Sequence, residues 1–561
     1  MRRALICLFL VLHALPVLAS DRNGNIGINL AGVSDWSTQA PFIDVFKTAR
    51  PWLGHLPGQW GGATHEDLKA ADYLDSNGWP VALPPELSSI GTVILNDLPP
   101  EATDLAGRYV LRFEGNGIVE VSGRAQNVKY AKGEISFDFA PGPGAVDIRI
   151  QRTDRARKGN YVRNISVVKQ ENLDAFAQGA VFNPDLMRRL EGFSTLRFMD
   201  WMQTNNSNLA RWDDAPKLGD YTWARNGVPL GVMIALTNQL DADPWFTLPH
   251  MAEDEFARSF AMVVSEKLNP DLQAHVEYSN EVWNWQFAQA AYADAQAQAR
   301  WGVADNWLQF YVARSIEIAQ IWDEVFGDTA DKRLKHVISS QTGWLGLEAQ
   351  VFDAPLWRSE NPGAPAPASF FDAYAITGYV GYGLGYGDNV DMVLGWLAES
   401  EEIASEDADA AGLTGADKDA YVIKHRFDLA TEYAWDELLD GLVSGNPESS
   451  VADFLGRLLP YHQQVAAQND LELIIYEGGS HVVGVGEAVN TEALTEFFLH
   501  LNYSPEMALV YEELLAGWQA ADTGVFVAFN DVMAPSKWGS WGALRHLSDD
   551  NPRWNSLEAA Q

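Results

Sequence analysis

Two glutamates of this chain stand in surroundings that suit proton transfer and nucleophilic attack. Glu281 lies in HVEYSNEVWNW, among Tyr278, Val282 and Trp283, and Glu477 lies in IIYEGG, at the end of an apolar run. A carboxyl group pressed against aromatic and apolar neighbours is driven towards its neutral form, whereas one held by a cation stays ionised. Two carboxylates with pKa values pushed apart are what cleavage of a glycosidic bond needs. One protonates the leaving oxygen, and the other meets the oxocarbenium-like carbon. Other chemistries lack their residues. The single cysteine is Cys7, so thiolate catalysis, disulfides and Cys-ligated metals do not follow, and there is no Gly-x-Ser-x-Gly elbow. His250 and His481 have no His or Asp beside them at ligand spacing, which favours hydrogen bonding to substrate over a metal site. No cofactor is required.

Further polar and aromatic residues fall at the ends of strand-like runs. STLRFMDW (194–201) ends in Arg197, Asp200 and Trp201; PWFTLPH (244–250) ends in His250; AHVEYSNEVW (274–283) ends in Asn280, Glu281 and Trp283. KHVISSQTGW (335–344) ends in Trp344, DAYAITGYVGY (372–382) carries Tyr379, and LELIIYEGGSH (471–481) carries Glu477 and His481. TGVFVAFND (523–531) leads on to Trp538 and Trp541. Strand alternation places Glu277, Ser279 and Glu281 on one face. Glu277, deeper in its run, reads as a structural partner for Arg197. Trp201, Trp344, Trp538 and Trp541 lie just past strands and offer flat faces for sugar rings, with Trp283 beside the acid. Trp285 and Trp307, inside helical patterns, read as packing.

Together with NIGINLAG near the start, these runs make eight strands alternating with helical stretches such as MAEDEFARSFAMVVSEKL. Eight βα units predict a (β/α)8 TIM barrel with its site at the C-terminal ends of the strands. An open doubly wound sheet is the alternative, but no Gly-x-Gly-x-x-Gly or Walker-type loop follows the first strand. Between about Trp60 and Lys169 the pattern changes to period two, as in YVLRF, ISFDF and VDIRI. That change predicts an inserted antiparallel β-sandwich-like module over 56–170, between a first barrel segment (20–55) and the remainder (171–561). A helical insertion at about 387–450 contains the acidic stretch 399–420, which reads as a solvated face.

Arg2 and Arg3 precede an apolar run and a small-residue site after Ala19, which predicts a signal peptide over 1–19 and a secreted or periplasmic protein. The run is shorter than the ~20 residues of a membrane span, so no membrane anchor is expected. With 39 basic and 76 acidic residues, a net charge of −37, nucleic acid and anionic membranes are poor partners. The 21 tryptophans suit a carbohydrate substrate.

On these motifs the chain resembles the large clan of retaining glycoside hydrolases with (β/α)8 barrels. The resemblance spans 26–52 and about 180–545. It implies Glu281, after Asn280 on the fourth strand, as acid/base, and Glu477 on the seventh as nucleophile. It also implies Arg197 and Tyr379 as the groups that orient the nucleophile, Asn280 as the partner of the 2-hydroxyl, and Trp538 or Trp541 as the strand-eight aromatic. Val282 stands where many members have proline, and the interval from Glu281 to Glu477 is lengthened by the helical insertion. The implied reaction is a double displacement with the two carboxyl groups ~5–5.5 Å apart. The rival reading is a non-catalytic glycan-binding barrel, against which the presence of both glutamates argues.

Overall fold

The computed structural model describes residues 25–521 and 523–561; the expected signal peptide, with Cys7, lies outside them. Strand β1 (Ile26–Asn29) is followed by nine strands of other sheets: β2 (Leu53–His55), β3 (Gly62–Ala63), β4 (Ser89–Ile94), β5 (Gly107–Glu114), β6 (Gly117–Gly123), β7 (Gln126–Ala131), β8 (Glu134–Phe139), β9 (Val146–Thr153) and β10 (Arg163–Lys169). The chain then supplies β11 (Thr195–Arg197), β12 (Asp243–Leu248), β13 (Ala274–Tyr278), β14 (Leu334–Ser339), β15 (Ala373–Val380), β16 (Glu472–Ser480) and β17 (Phe526–Ala528). Strands β1 and β11 to β17 pair in parallel in that order, and β17 closes on β1. This is the eight-stranded barrel of a (β/α)8 fold.

Its interior is filled. Trp245, Val337, Ala373, Ala375, Ile474, Tyr476, Val525 and Val527 form a buried cluster separate from the main core. They occupy alternate strand positions, as inward-facing residues must. Close approach is built in at Gly27, where a Cβ would stand 2.9 Å from the carbonyl oxygen of Thr195. Outside the barrel, the helix Asp254–Lys267 buries Phe256, Ala257, Phe260, Ala261 and Val264 along one face. Asp254 and Glu255 in its first turn and Lys267 in its last match the helix dipole.

The inserted strands form two antiparallel sheets, ordered β10-β5-β8-β7 and β3-β2-β4-β9-β6. Their apolar faces carry Tyr109, Leu111, Ile135, Phe137, Phe139, Ile148 and Ile150, all buried. The second sheet starts earlier than the sequence suggests: β2 pairs with β4 rather than with the barrel, and three residues are too few for a period to show. The carboxylate of Asp44 joins insert to barrel segment, accepting from the backbone N–H of Phe46 and Val167.

Between β15 and β16 lie the helices Asn389–Ala410, Ala416–His425 and Asp428–Asp440. The first turns Val393, Trp396, Leu397, Ala404 and Ala408 inward, leaving its carboxylates to solvent. Among the described residues no helix is long and apolar enough to cross a membrane.

Candidate active site

The mouth of the barrel is organised around Arg197, the last residue of β11, which is fully buried. Its Nη1 donates to Asn29 Oδ1 at 3.1 Å and Glu477 Oε1 at 2.7 Å. Its Nη2 donates to Glu277 Oε2 at 3.1 Å and Asn280 Oδ1 at 2.8 Å. The rings of Trp245 and Tyr476 lie 5.3 and 5.2 Å from the guanidinium carbon. Burial alone would lower the arginine's pKa, yet the carboxylates of Glu277 and Glu477 hold it above its ordinary value. It is a fixed positive charge.

Glu477 reaches this charge because β16 contains an extra residue. Ile475 pairs with Phe526 and Gly478 with Ala528, three steps on β16 against two on β17. The same slip appears against β15, between the pairs Ile376–Ile475 and Thr377–Glu477. Such a bulge re-aims a side chain, so Glu477 enters the mouth although Tyr476, its immediate neighbour, already points inward. Glu477 Oε2 accepts from the hydroxyl of Tyr379 at 3.0 Å. Burial raises its pKa, while Arg197 and Tyr379 act in the opposite direction by favouring the anion.

Glu281 arrives by a different route. β13 ends at Tyr278, so strand alternation stops short of it. Ser279 (φ 65°) and Glu281 (φ 42°) instead adopt the left-handed region, which residues with a Cβ rarely enter and which clusters at functional sites. Glu281 Oε1 accepts from Tyr476 OH and Oε2 from Asn284 Nδ2, each at 3.0 Å. Its pKa is raised to about 8, by burial first and by the charge of Glu477 second, against Asn284, Tyr476 and Arg197. Of the two carboxyl groups, Glu281 is the one without a cation on its oxygens, so its surroundings favour the protonated form.

The neighbours of this pair are locked. Asn280 Nδ2 donates to Asn205 Oδ1 at 3.1 Å, and Gln289 Nε2 donates both to Asn205 Oδ1 and to the carbonyl of Asn280. Glu277 sits below, with Arg197 on Oε2 and the indole N–H of Trp245 on the same oxygen at 3.0 Å. Asp200, beyond β11, is pushed up to about 7 by burial and then by the charge of Glu477.

Of the residues singled out in the sequence, Arg197, Asn280, Tyr379 and Glu477 come together in one hydrogen-bonded group, and Glu281, held by Tyr476 and Asn284, feels the charge of Glu477 beside it. His481 and Trp541 join Tyr379 in an aromatic wall, with Tyr379 5.4 Å from His481 and 6.0 Å from Trp541. Trp538 is 64% exposed and accepts the indole N–H of Trp541 on its carbonyl. Trp344 is 51% exposed beyond β14. Trp283, half-buried, has an indole nitrogen without a hydrogen-bond partner. His250 packs edge-on against Tyr292 and is held near pKa 4 by burial, hence neutral. It makes no hydrogen bond to the glutamates among the described residues.

Trp201 is a correction. It is fully buried, with its indole donating to the carbonyl of Ala31 and to Gln39 Oε1. Because β11 ends at Arg197, Trp201 falls in a turn folded beneath the loop after β1 and has no face to give a sugar. Other members of the site escaped notice. Tyr476 stands next to Glu477, where alternation would send it to the opposite face. Phe529, 6.2 Å from Tyr379 and 5.8 Å from Trp541, looks like one more apolar residue of its strand. Asn205, Asn284 and Gln289 carry no local signal.

Among the described residues no group of three or more His, Cys, Asp or Glu is arranged to hold a metal ion. No protein-family model matches the chain, and no curated protein matches it. Among solved structures, a chain from a study of two fungal beta-1,4-galactanases aligns with a TM-score of 0.31 and 10% identity, over 69% of this chain and 97% of that one.

Proposed function

We propose that this protein is a secreted or periplasmic glycoside hydrolase that cleaves a poly- or oligosaccharide by a retaining double displacement. The observation that carries the reading is the unequal surroundings of two carboxyl groups that feel each other's charge. Glu281 is pushed up to about 8 by burial and by Glu477, while Glu477 is gripped by Arg197 and Tyr379. Burial raises the pKa of both, but only Glu477 has a cation and a hydroxyl on its oxygens that favour the anion, so Glu281 is suited to be the acid and Glu477 the nucleophile.

In the first step a carboxylate oxygen of Glu477 attacks the anomeric carbon as its bond to the leaving oxygen breaks, and the proton of Glu281 goes to that oxygen. In the second step water attacks the same carbon, gives its proton to Glu281, and releases Glu477. Two inversions leave the configuration retained. Asn280, held through Arg197 and Asn205, is suited to the 2-hydroxyl. Tyr379, His481, Phe529 and Trp541 supply the apolar wall against which a sugar ring packs. Export is supported by the Arg2-Arg3 and apolar leader pattern.

The test is a glycan panel with product analysis and time-resolved NMR of the first anomer formed. Retained configuration is expected. Inverted configuration would remove Glu477 as nucleophile, and retention of a glycan without products would make the protein a binder.

A further inference from the structure

Against Asp200, whose carboxyl feels the charge of Glu477, a pocket of about 220 Å³ opens among the loops that follow β1, β11 and β17. Ser34, Trp36, Thr38, Asp200 and Met533 are among its lining residues. Arg197, Glu477 and Tyr379 are not, so the reacting ring sits elsewhere and the pocket can take only a neighbouring unit.

Two buried hydroxyls of this wall are unsatisfied, and a half-buried carboxylate stands with them. Thr38 is 1% exposed, yet its Oγ1 has no hydrogen-bond partner, and the buried Oγ of Ser34 has none either. Asp200 makes no side-chain hydrogen bond or ion pair among the described residues, although it feels the charges of Glu477, Arg197 and Asp531. Buried polar atoms without partners, as on Thr38 and Ser34, are costly in a folded protein, and hydroxyls of a ligand would pair with these two and with the half-buried carboxylate of Asp200. Trp36, 48% exposed, adds an aromatic face.

The wall is also preorganised. The backbone N–H of Ala31 donates to Asp531 Oδ1 at 2.9 Å, Gln39 donates to Asp531 Oδ2, and Trp201 bonds Ala31 and Gln39 from below. On the outer side Asp35 is paired with Arg50 at 2.7 Å, and its carbonyl accepts the N–H of Asn96 from the β module. A loop tied down at both ends loses little entropy on binding.

Position and charge decide the ligand. Glu281, the proposed proton donor, follows β13, which stands three strands away from β1 around the eight-stranded ring, whereas β16, which carries Glu477, stands two away. The leaving group lies on the Glu281 side, so a pocket centred on β1 lies on the glycone side. No Lys or Arg lines it, and Arg197 is fully buried, with both of its Nη atoms committed to four acceptors. A carboxylate or sulfate on the sugar would meet Asp200 unpaired, whereas two adjacent hydroxyls would donate to it and favour its ionised form.

We infer that this pocket is a glycone-side subsite that holds an uncharged sugar unit by adjacent hydroxyls on Asp200, Thr38 and Ser34, and so restricts the enzyme to neutral glycans. The inference rests on the hydrolytic reading above. It is tested with the full chain on paired aryl glycosides, a monosaccharide and the disaccharide extended by one unit on the glycone side. The pairs are drawn from neutral hexose and pentose series and from series ending in a uronic acid. The wild type is expected to prefer the neutral disaccharide, with a lower KM. Asp200→Ala and Thr38→Val should each raise KM for the disaccharide at least about tenfold, the size of one lost hydrogen bond to a charged or buried group, and leave the monosaccharide within about twofold. Turnover of both members with no dependence on these side chains overturns the subsite and leaves the hydrolase standing. Equal loss on both members also overturns it, by placing Asp200 at the reacting ring, and so does preference for the uronate series. No turnover of any pair sinks the subsite and the catalytic reading together.

Discussion

Tyr476 and Glu477 are consecutive residues of one strand, yet both enter the barrel mouth and each controls a different carboxyl group. Tyr476 donates to Glu281 Oε1 at 3.0 Å, while Glu477 accepts from Arg197 at 2.7 Å. A regular strand would send them to opposite faces. The extra residue in β16 therefore does two things at once: it presents the proposed nucleophile and places a hydroxyl on the proposed acid.

Activity is expected to follow a bell-shaped pH profile. The alkaline limb should fall near pH 8, where Glu281 loses its proton, and the acidic limb above the ordinary carboxylate range, where Glu477 gains one. Glu281→Gln, assayed on an aryl glycoside with a good leaving group, should abolish the alkaline limb and keep the acidic one. An alkaline limb that persists in this variant would assign it to another group.

Stability should carry the same signature. The carboxyl of Glu281 is raised from 4.5 to about 8 in the folded protein, so the folded state binds that proton more tightly than the unfolded chain. Its contribution is complete below about pH 4.5 and is lost as pH rises through about 8. Between pH 6 and pH 9 the Tm of Glu281→Gln should accordingly fall less than that of the wild type. Parallel Tm curves would mean that Glu281 titrates normally.

The two tyrosines should move opposite limbs. The hydrogen bond from Tyr476 favours the anion of Glu281, so Tyr476→Phe should shift the alkaline limb upward. That from Tyr379 favours the anion of Glu477, so Tyr379→Phe should shift the acidic limb upward. Each should cost about tenfold in kcat, less than the roughly hundredfold or more of a donor that meets charge developing on the substrate, because each tyrosine acts through a carboxyl group. Shifts of the same limb in both variants would contradict the separation of roles.

Leaving-group dependence distinguishes Glu281 from Glu277. Glu281→Ala should slow poor leaving groups far more than aryl ones, and azide should rescue it with a retained glycosyl azide. Glu477→Ala should form no glycosyl-enzyme. Glu277→Ala should leave that dependence unchanged but destabilise the fold by about 3–5 kcal/mol, the cost of breaking a buried ion pair, because Arg197 and Trp245 both lose a partner. Denaturant titration measures the one and a series of aryl glycosides the other. If Glu277→Ala shows the leaving-group dependence and azide rescue instead, the acid/base assignment is off by four residues.

Much of this molecule is legible along the chain. Alternating runs of period two and 3.6 report which face of each element is buried, so the eight barrel strands, the intervening helices and the antiparallel character of the insert could be read locally. The same holds for Arg197, Asn280, Glu281, Tyr379 and Glu477, whose types stand out at strand ends. Trp201 shows where this reading stops: its position past a strand suggested a free face, but the length of β11 and the loop above it decided that it is core.

What only the tertiary structure decided is how these residues are made unequal. The bulge at Tyr476, the left-handed turn at Glu281 and the four acceptors sharing Arg197 have no periodic signature, because each depends on groups distant in sequence. Tyr476 and Glu281 are 195 residues apart, and Arg197 and Glu477 are 280 apart. A carboxyl group's pKa is set by the charges, donors and solvent within a few ångströms of it. Closing the barrel is what brings those groups within reach.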